Sequence, residues 1–174
     1  MPDRAAAALA PAPAAPAAAA DYVAAMAAAV TGVSVVTTDG AGGRMGLTVS
    51  SMASVSADPP MLLVCINRRS PIVPRIRAHA AFAVSVLGAH QSPIADMFAG
   101  RPAAGAPYDF ARTRWELGVT GAPLLAEAAA TFDCVVASTV EAGTHTIVIG
   151  DVVQAARGAA VPLAYTRRRY AVPG

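Results

Sequence analysis

The sequence contains no lysine: all 13 of its basic residues are arginines. Without a lysine amine the chain can neither form a Schiff base nor complete a Walker-type phosphate loop, so these two chemistries are excluded. Neither sign of charge is in large excess, because 13 basic and 11 acidic residues leave a net charge of only +2. This balance lacks the basic surplus typical of nucleic-acid-binding proteins, and we expect no nucleic-acid partner.

Cysteine is limited to Cys65 and Cys134, too few for a disulfide framework and without the spacing of a zinc site. Two lone thiols are typical of a protein in a reducing compartment, so we expect it to be cytoplasmic. Proline, glycine or charge interrupts every apolar run before the roughly 18 residues that a membrane helix needs. The sequence therefore predicts no membrane span.

Several common catalytic signatures are missing as well. The three histidines, His79, His90 and His145, stand singly without metal-ligand spacing, and the acidic residues form no pair suited to acid–base catalysis. The glycines of residues 40–46 lack the third glycine of a dinucleotide fingerprint, and their place between two predicted strands indicates a hairpin turn. We therefore expect neither a metal site nor a doubly wound parallel sheet.

Alanine and proline dominate the first 20 residues. Because repeated prolines break any helix there, residues 1–20 are interpreted as a disordered leader, with a signal peptide as the alternative. The remaining residues, 21–174, are enough for one domain of ordinary size. A short helix from Tyr22 to about Val30, capped by Asp21, is expected to open that domain.

Most of the domain consists of β-branched runs separated by glycine and proline turns. Two short helices are predicted between the strands, one capped by Ser70 with Pro71 at its first position and ending near His79, the other from Ser92 to Phe98. Since tight turns join successive strands, the sequence predicts a mainly β fold, an antiparallel sheet closed into a barrel or sandwich with a few short peripheral helices. The predicted strands are 33–38, 45–56, 61–66, 81–87, 114–117, 130–140, 144–155 and 161–165.

Two polar segments stand out in this apolar chain. Residues 46–56 place serine and threonine hydroxyls along an extended segment, which suits the carbonyl and nitrogen edge of a heterocycle, or a phosphate. A solvated strand face is the simpler explanation of the same pattern. Residues 67–71 combine an amide, two guanidinium groups, a hydroxyl and a helix start, a set that suits a phosphate. An ordinary capped helix with surface arginines has the same composition.

Taken in order, the segments of this chain resemble the short-chain flavin reductases, the reductase components of two-component flavin-dependent monooxygenases. The resemblance extends from residue 21 to residue 170 and depends on an ordered set of motifs rather than on any single one. These motifs are Met45–Ser51, Val55–Pro60, Val64–Pro71, Phe82–Leu87, Met97–Gly100, Trp115–Glu116, Thr120–Leu125, His145–Gly150 and Tyr165–Tyr170.

The resemblance implies an antiparallel flavin-binding split β-barrel that transfers hydride from NADH or NADPH to FMN or FAD. The reduced flavin would then diffuse to a partner flavin-dependent monooxygenase. A homodimer is also expected, because sites of this kind commonly form at a subunit interface.

The same resemblance implies roles for individual residues. His145 is the expected catalytic residue, approaching the flavin ring near the nicotinamide, and Tyr170 is expected to border that place. The residues expected at the isoalloxazine edge are Thr48, Val49, Ser50 and Ser51. Those expected to hold the ribityl chain and phosphate are Cys65, Ile66, Asn67, Arg68 and Ser70.

Three positions depart from the pattern of these reductases. Thr144 precedes His145 where an acid is usual, Asp109–Phe110 replaces a lysine–phenylalanine pair, and Arg168 occupies a position where glycine is frequent. The first of these departures concerns the nicotinamide side of the site. A non-catalytic flavin- or haem-binding split barrel is therefore the alternative function.

Overall fold

The structure, a computed structural model, describes residues 15–173 and is mainly β, as the β-branched runs and turns predict. Most of the leader predicted for residues 1–20 lies outside this range. The α-helices of the described chain are α1 (Ala19–Ala28), α2 (Ile72–His79) and α3 (Ser92–Phe98), and short 3-10 helices occur at Ala89–Gln91 and Phe110–Arg112. The strands are β1 (Thr31–Gly32), β2 (Ser34–Thr38), β3 (Met45–Val49), β4 (Ala53–Ala57), β5 (Pro60–Asn67), β6 (Ala81–Val86), β7 (Trp115–Leu117), β8 (Pro123–Leu125), β9 (Ala130–Ala142), β10 (His145–Arg157), β11 (Ala164–Thr166) and β12 (Arg169–Ala171).

Seven strands form one antiparallel sheet in the order β3-β2-β6-β9-β10-β5-β4. Near its centre is the long hairpin β9–β10, which turns at Gly143, where a φ of +57° favours glycine. The two edge strands, β3 and β4, follow one another in the chain and are joined by residues 50–52. The sheet curls so that its edge strand β3 approaches β5, which is next to the opposite edge, and the two strands line one cavity from opposite sides.

The prediction that residues 45–56 form one extended strand is wrong. The chain leaves the sheet at residues 50–52, so that β3 pairs with β2 whereas β4 pairs with β5. The short strands β1, β8 and β12 were not predicted, because two or three residues carry too little periodicity to be distinguished from a turn. Two of them, β1 and β12, flank β11 in a separate small sheet.

Both predicted side-chain caps are absent from the helices. Helix α1 begins at Ala19, so Asp21 lies inside its first turn and does not cap it. The high helix propensity of alanine extends the helix into the last two residues of the segment that was interpreted as a disordered leader. Helix α2 begins at Ile72, one residue later than predicted, with no capping bond from Ser70. The prediction for α3, Ser92–Phe98, is confirmed.

The core consists of two apolar clusters of different composition. The first contains Phe82, Val84 and Ile76, and packs α2 against the sheet. The second contains Phe98 of α3 and Leu87, with the side chains of Tyr165 and Tyr170 packed on its border. Within residues 15–173 no helix is long and apolar enough to cross a membrane.

Candidate functional site

A cavity of about 570 Å³ opens where the edges of the sheet approach each other. Strand β3 and the segment after it form one wall, and β5 with the start of β10 forms the opposite wall. The cavity brings together eight of the residues singled out in the sequence, namely Thr48, Val49, Ser50, Ser51, Cys65, Ile66, Asn67 and His145. The hydroxyl-rich segment and the polar loop, separated by a turn and a strand in sequence, therefore belong to one site.

Three of the predicted residues are not in the wall of this cavity. Arg68 and Ser70 lie on the loop beyond Asn67, and Tyr170 lines a second, smaller pocket of about 170 Å³. The structure therefore separates His145 from Tyr170, which the sequence had placed on the same border. The two pockets share a single wall, formed by residues 48–50.

Two of the hydroxyls expected at a ring edge are engaged within the protein. The Thr48 hydroxyl donates to the carbonyl oxygen of Ala95 at 2.8 Å. The Ser51 hydroxyl donates to the carbonyl oxygen of Cys65 at 2.7 Å and accepts from the Cys65 amide at 3.2 Å. Ser51 thus makes the two hydrogen bonds to the main chain of Cys65 that a neighbouring strand would otherwise make, and it fixes the segment between the edge strands. Ser50, by contrast, is exposed at the rim.

The loop after β5 is folded by its own asparagine. Asn67 Oδ1 accepts from the Arg69 amide at 2.9 Å, and the Ser70 amide donates to the Asn67 carbonyl at 2.8 Å. This turn leaves the side-chain nitrogen of Asn67 available and the exposed guanidinium groups of Arg68 and Arg69 without an ion pair to any described carboxylate. Positive charge is therefore concentrated at the Asn67 end of the cavity.

His145 lies at the same end, directly opposite Asn67 in the β5–β10 pairing. Its Nδ1 is 2.9 Å from the hydroxyl oxygen of Thr144, the residue that stands in place of the usual acid. The Arg68 amide donates to the Thr144 carbonyl at 3.1 Å, which joins the polar loop to the turn before His145. The imidazole is exposed and oriented by a neutral partner.

A charged cluster fixes the hairpin that presents this histidine. Glu141 accepts from the Arg77 guanidinium and from the Thr146 hydroxyl, which lies 3.1 Å from each carboxylate oxygen. The hydrogen bond from Arg77 is the main reason why the pKa of Glu141 is held below its usual value. Glu141 consequently stays ionised, and it ties the hairpin to α2.

The smaller pocket has a different chemistry. The Tyr170 hydroxyl donates to Asp96 Oδ1 at 2.7 Å, and burial, followed by this bond, raises the pKa of Tyr170 to about 12. Arg101 Nε lies 3.8 Å from the same carboxylate oxygen. The Tyr165 and Tyr170 rings meet edge to face, with centroids 5.6 Å apart. The pocket thus offers the Tyr170 phenol, which stays protonated at neutral pH, beside the Tyr165 ring and a guanidinium group.

Among the lining residues that were not identified in the sequence as site residues, three have polar side chains: Tyr22, Arg101 and Tyr165. The spacing of Tyr165 and Tyr170 contained a usable signal. Each lies one position outside Thr166 and Arg169, the pair that closes the two-residue turn, and residues paired across a hairpin face the same side of it. No local pattern identifies Tyr22 or Arg101. In residues 15–173 no three His, Cys, Asp or Glu side chains are grouped to hold a metal ion.

Comparison with known proteins gives consistent matches over this fold. The family described as "Flavin reductase like domain" matches residues 26–173. A protein of Variovorax paradoxus named FMN reductase (NADH) RutF is 42% identical over 153 residues, which is 86% of this chain and 83% of the relative. The solved NADH:FAD oxidoreductase of Streptomyces globisporus superposes with a TM-score of 0.80 at 35% identity, covering 93% of this chain and 99% of that one. The styrene monooxygenase flavin reductase of Pseudomonas putida gives a TM-score of 0.75 at 29% identity, covering 86% and 95%.

Proposed function

The chain belongs to the flavin reductase-like domain family, and on this premise we propose that it is an enzyme that transfers hydride from NADH to a flavin. FMN is the flavin in the names of the curated relatives, and FAD is the flavin in the name of one solved relative. The observation that carries the proposal is the single cavity that brings residues 48–51, residues 65–67 and His145 together, because hydride transfer needs the flavin and its donor held in contact at one site.

The larger cavity fits a flavin in size and in lining. Its volume of about 570 Å³ is within the range of pockets that bind cofactor-sized molecules. Leu47 and Ile147 provide apolar surface for a ring system, and the exposed Ser50 hydroxyl offers a hydrogen bond at the rim. At the other end, Asn67 and the arginines beyond it supply donors and positive charge for a phosphate.

A bound flavin supplies the hydride acceptor, its N5 atom, and no strong general acid is needed from the protein. The residues of this chain hold the walls of the cavity in position. Ser51 holds the segment between the edge strands against Cys65, and Glu141 holds the hairpin that carries His145. We assign to His145 a contact with the nicotinamide donor, because its exposed imidazole stands at the rim of the cavity beside Asn67. Tyr170 is assigned to the neighbouring pocket, where it borders the donor.

Purified protein is expected to oxidise NADH when FMN or FAD is present in excess, because both pockets are preformed. The measurement is the fall in absorbance at 340 nm, repeated with NADPH to determine donor preference. Protein that binds flavin but oxidises neither donor with either flavin would overturn the proposal. That result would favour a non-catalytic flavin- or haem-binding barrel, the alternative from the sequence.

We further propose that the reduced flavin leaves this protein and serves a separate flavin-dependent monooxygenase. One of the solved relatives is named as a styrene monooxygenase flavin reductase. The exposed rim residues Ser50, Asn67 and His145 make release straightforward, since little protein has to move. We also propose that residues 21–174 form one domain and that the reaction takes place in the cytoplasm. The family match and the two unpaired cysteines support these two proposals.

We propose that the protein forms a homodimer through the outer face of β5 and β10. Ile147 pairs with Cys65 in the cavity wall, and Ile149 pairs with Leu63 in the next row of the same face. This face continues into exposed apolar side chains, Val135 on β9 and Val153 on β10. A second copy seated there would cover apolar surface and complete the edge of the flavin cavity.

An Ile149→Arg variant is expected to convert this dimer to a monomer, because a guanidinium group would be buried at the proposed interface. Light scattering during gel filtration should show twice the chain mass of 17.4 kDa for the unaltered protein and 17.4 kDa for the variant. Val119→Arg, at an exposed loop position, is the matched control and should leave the mass unchanged. A monomeric parent protein would refute the dimer.

A further inference from the structure

Three consecutive arginines, Arg167, Arg168 and Arg169, make up the turn between β11 and β12 and the first residue of β12. Thr166 pairs with Arg169, so residues 167 and 168 are the two central residues of a tight hairpin turn. Both are in the left-handed region, with φ of +48° and +60°. Glycine or asparagine is usual at such positions, because a larger side chain there costs conformational energy. An arginine pair in this conformation calls for a compensating role. We call residues 167–169 the arginine turn.

The charge of the arginine turn is not neutralised within the protein. All three side chains are exposed, and none forms an ion pair with a carboxylate of residues 15–173. The nearby pocket already contains Arg101, and Asp96, the carboxylate that forms an ion pair with that guanidinium group, accepts the hydrogen bond of Tyr170. Adjacent like charges repel one another, so the cluster is stabilised when an anion binds.

The hairpin places the arginine turn beside the smaller pocket. Tyr165 and Tyr170, which line that pocket, pair with each other, and the tip of the turn lies about 7 Å further along the strands. The Arg167 amide donates to the Ala27 carbonyl at 2.6 Å, which holds the turn against α1. Helix α1 also carries Tyr22, a lining residue of the larger cavity. The arginine turn is thus fixed two residues beyond the tyrosines of the smaller pocket and against the helix that carries Tyr22.

We infer that the arginine turn binds a phosphate group of the nicotinamide dinucleotide. This inference rests on the proposed function, since it assigns the donor to the smaller pocket. Guanidinium groups bind phosphate oxygens in pairs of parallel hydrogen bonds, and a diphosphate carries the charge that the turn lacks. NADH and NADPH share the diphosphate, and NADPH adds a 2′-phosphate, so either group is a possible source of the same chemistry.

Replacement of Arg168 by glycine tests the inference with little risk to the fold, because glycine suits the left-handed conformation. Arg168→Gly is expected to raise the KM for NADH or NADPH roughly fivefold with little change in kcat, the size of one charge-assisted contact at an exposed site. The difference should shrink at 0.5 M salt, where such contacts are screened. Arg169→Gln is a second variant that leaves both left-handed positions as they are. Arg114→Gln, an exposed arginine that pairs with Glu116, is the matched control.

Calorimetric titration provides a readout that does not depend on turnover. The probes are ADP-ribose, 2′-phospho-ADP-ribose and adenosine. Weaker binding of both phosphorylated probes by Arg168→Gly assigns the diphosphate, and weaker binding of the 2′-phosphorylated probe alone assigns the 2′-phosphate. Unchanged binding of both, an equal loss for adenosine, or the same loss in Arg114→Gln overturns the inference. If the parent protein binds ADP-ribose through the turn but does not oxidise NADH or NADPH, the proposed function fails and the phosphate site stands.

Discussion

A His145→Ala variant is expected to raise the KM for NADH about tenfold while the Kd for FMN changes less than about twofold. The imidazole is exposed at the rim of the larger cavity, and its loss removes one hydrogen-bonding group from the donor. One such bond contributes about 1.4 kcal/mol, which corresponds to a factor of about ten in affinity. Initial rates at 340 nm give the KM, and quenching of FMN fluorescence gives the Kd.

His90→Ala is the matched control for this substitution. His90 is also exposed, but it lies in the 3-10 helix Ala89–Gln91 and lines neither of the two pockets. Its replacement should leave both constants unchanged. If His145→Ala weakened FMN binding as strongly as NADH use, the imidazole would be a flavin contact, and its assignment to the nicotinamide would be wrong.

A Phe82→Ala variant is expected to lower the free energy of unfolding by about 4 kcal/mol, which is the usual cost of emptying a buried phenylalanine site. Phe82 is fully buried in the first apolar cluster, opposite Cys134 in the β6–β9 pairing. For a domain of this size the loss corresponds to a decrease in Tm of roughly 10 °C. Urea denaturation followed by circular dichroism measures the change.

The neighbouring Phe132 provides a control of the same residue type on the same strand pair. It is only partly buried, so Phe132→Ala should cost about half as much. Gly150 supplies an internal check, since a Cβ atom at this position would lie 2.7 Å from the Phe82 ring. Gly150→Ala should therefore destabilise the unaltered protein more than it destabilises Phe82→Ala. Equal costs in the two backgrounds would show that Phe82 does not fill this space.

Much of the fold is predictable from local patterns, because the β-branched runs form the longer strands and the glycine turns separate them. The starts of α1 and α2 were not, since a serine or aspartate ahead of a helix indicates a cap only if the backbone brings its oxygen to a free amide. Ser70 has the correct residue type, but α2 begins beyond its reach. Local signals indicate residue type, and the path of the chain decides whether that residue is used.

The candidate site shows the same limit. The resemblance to the flavin reductases implied that residues 48–51 and 65–67 surround one flavin, and all seven line one cavity. The sequence did not show that Thr48 and Ser51 bind carbonyl groups of the protein, because strand alternation predicts which side a residue faces but not what lies there. The second pocket depends on Arg101 and on a hairpin at the other end of the chain, so it arises only when the chain is folded.

Residues 50–52, which join the two edge strands, affect how well the site tolerates changes in sequence. In a curled antiparallel sheet, the main-chain amides and carbonyls of the interior strands form hydrogen bonds to the neighbouring strands. Only the edge strands keep some of these groups unpaired. Residues 50–52 join both edges of this sheet, so unpaired main-chain groups are concentrated beside the larger cavity. Every residue type except proline carries the same amide. Recognition built on these groups can therefore persist while the side chains around them diverge.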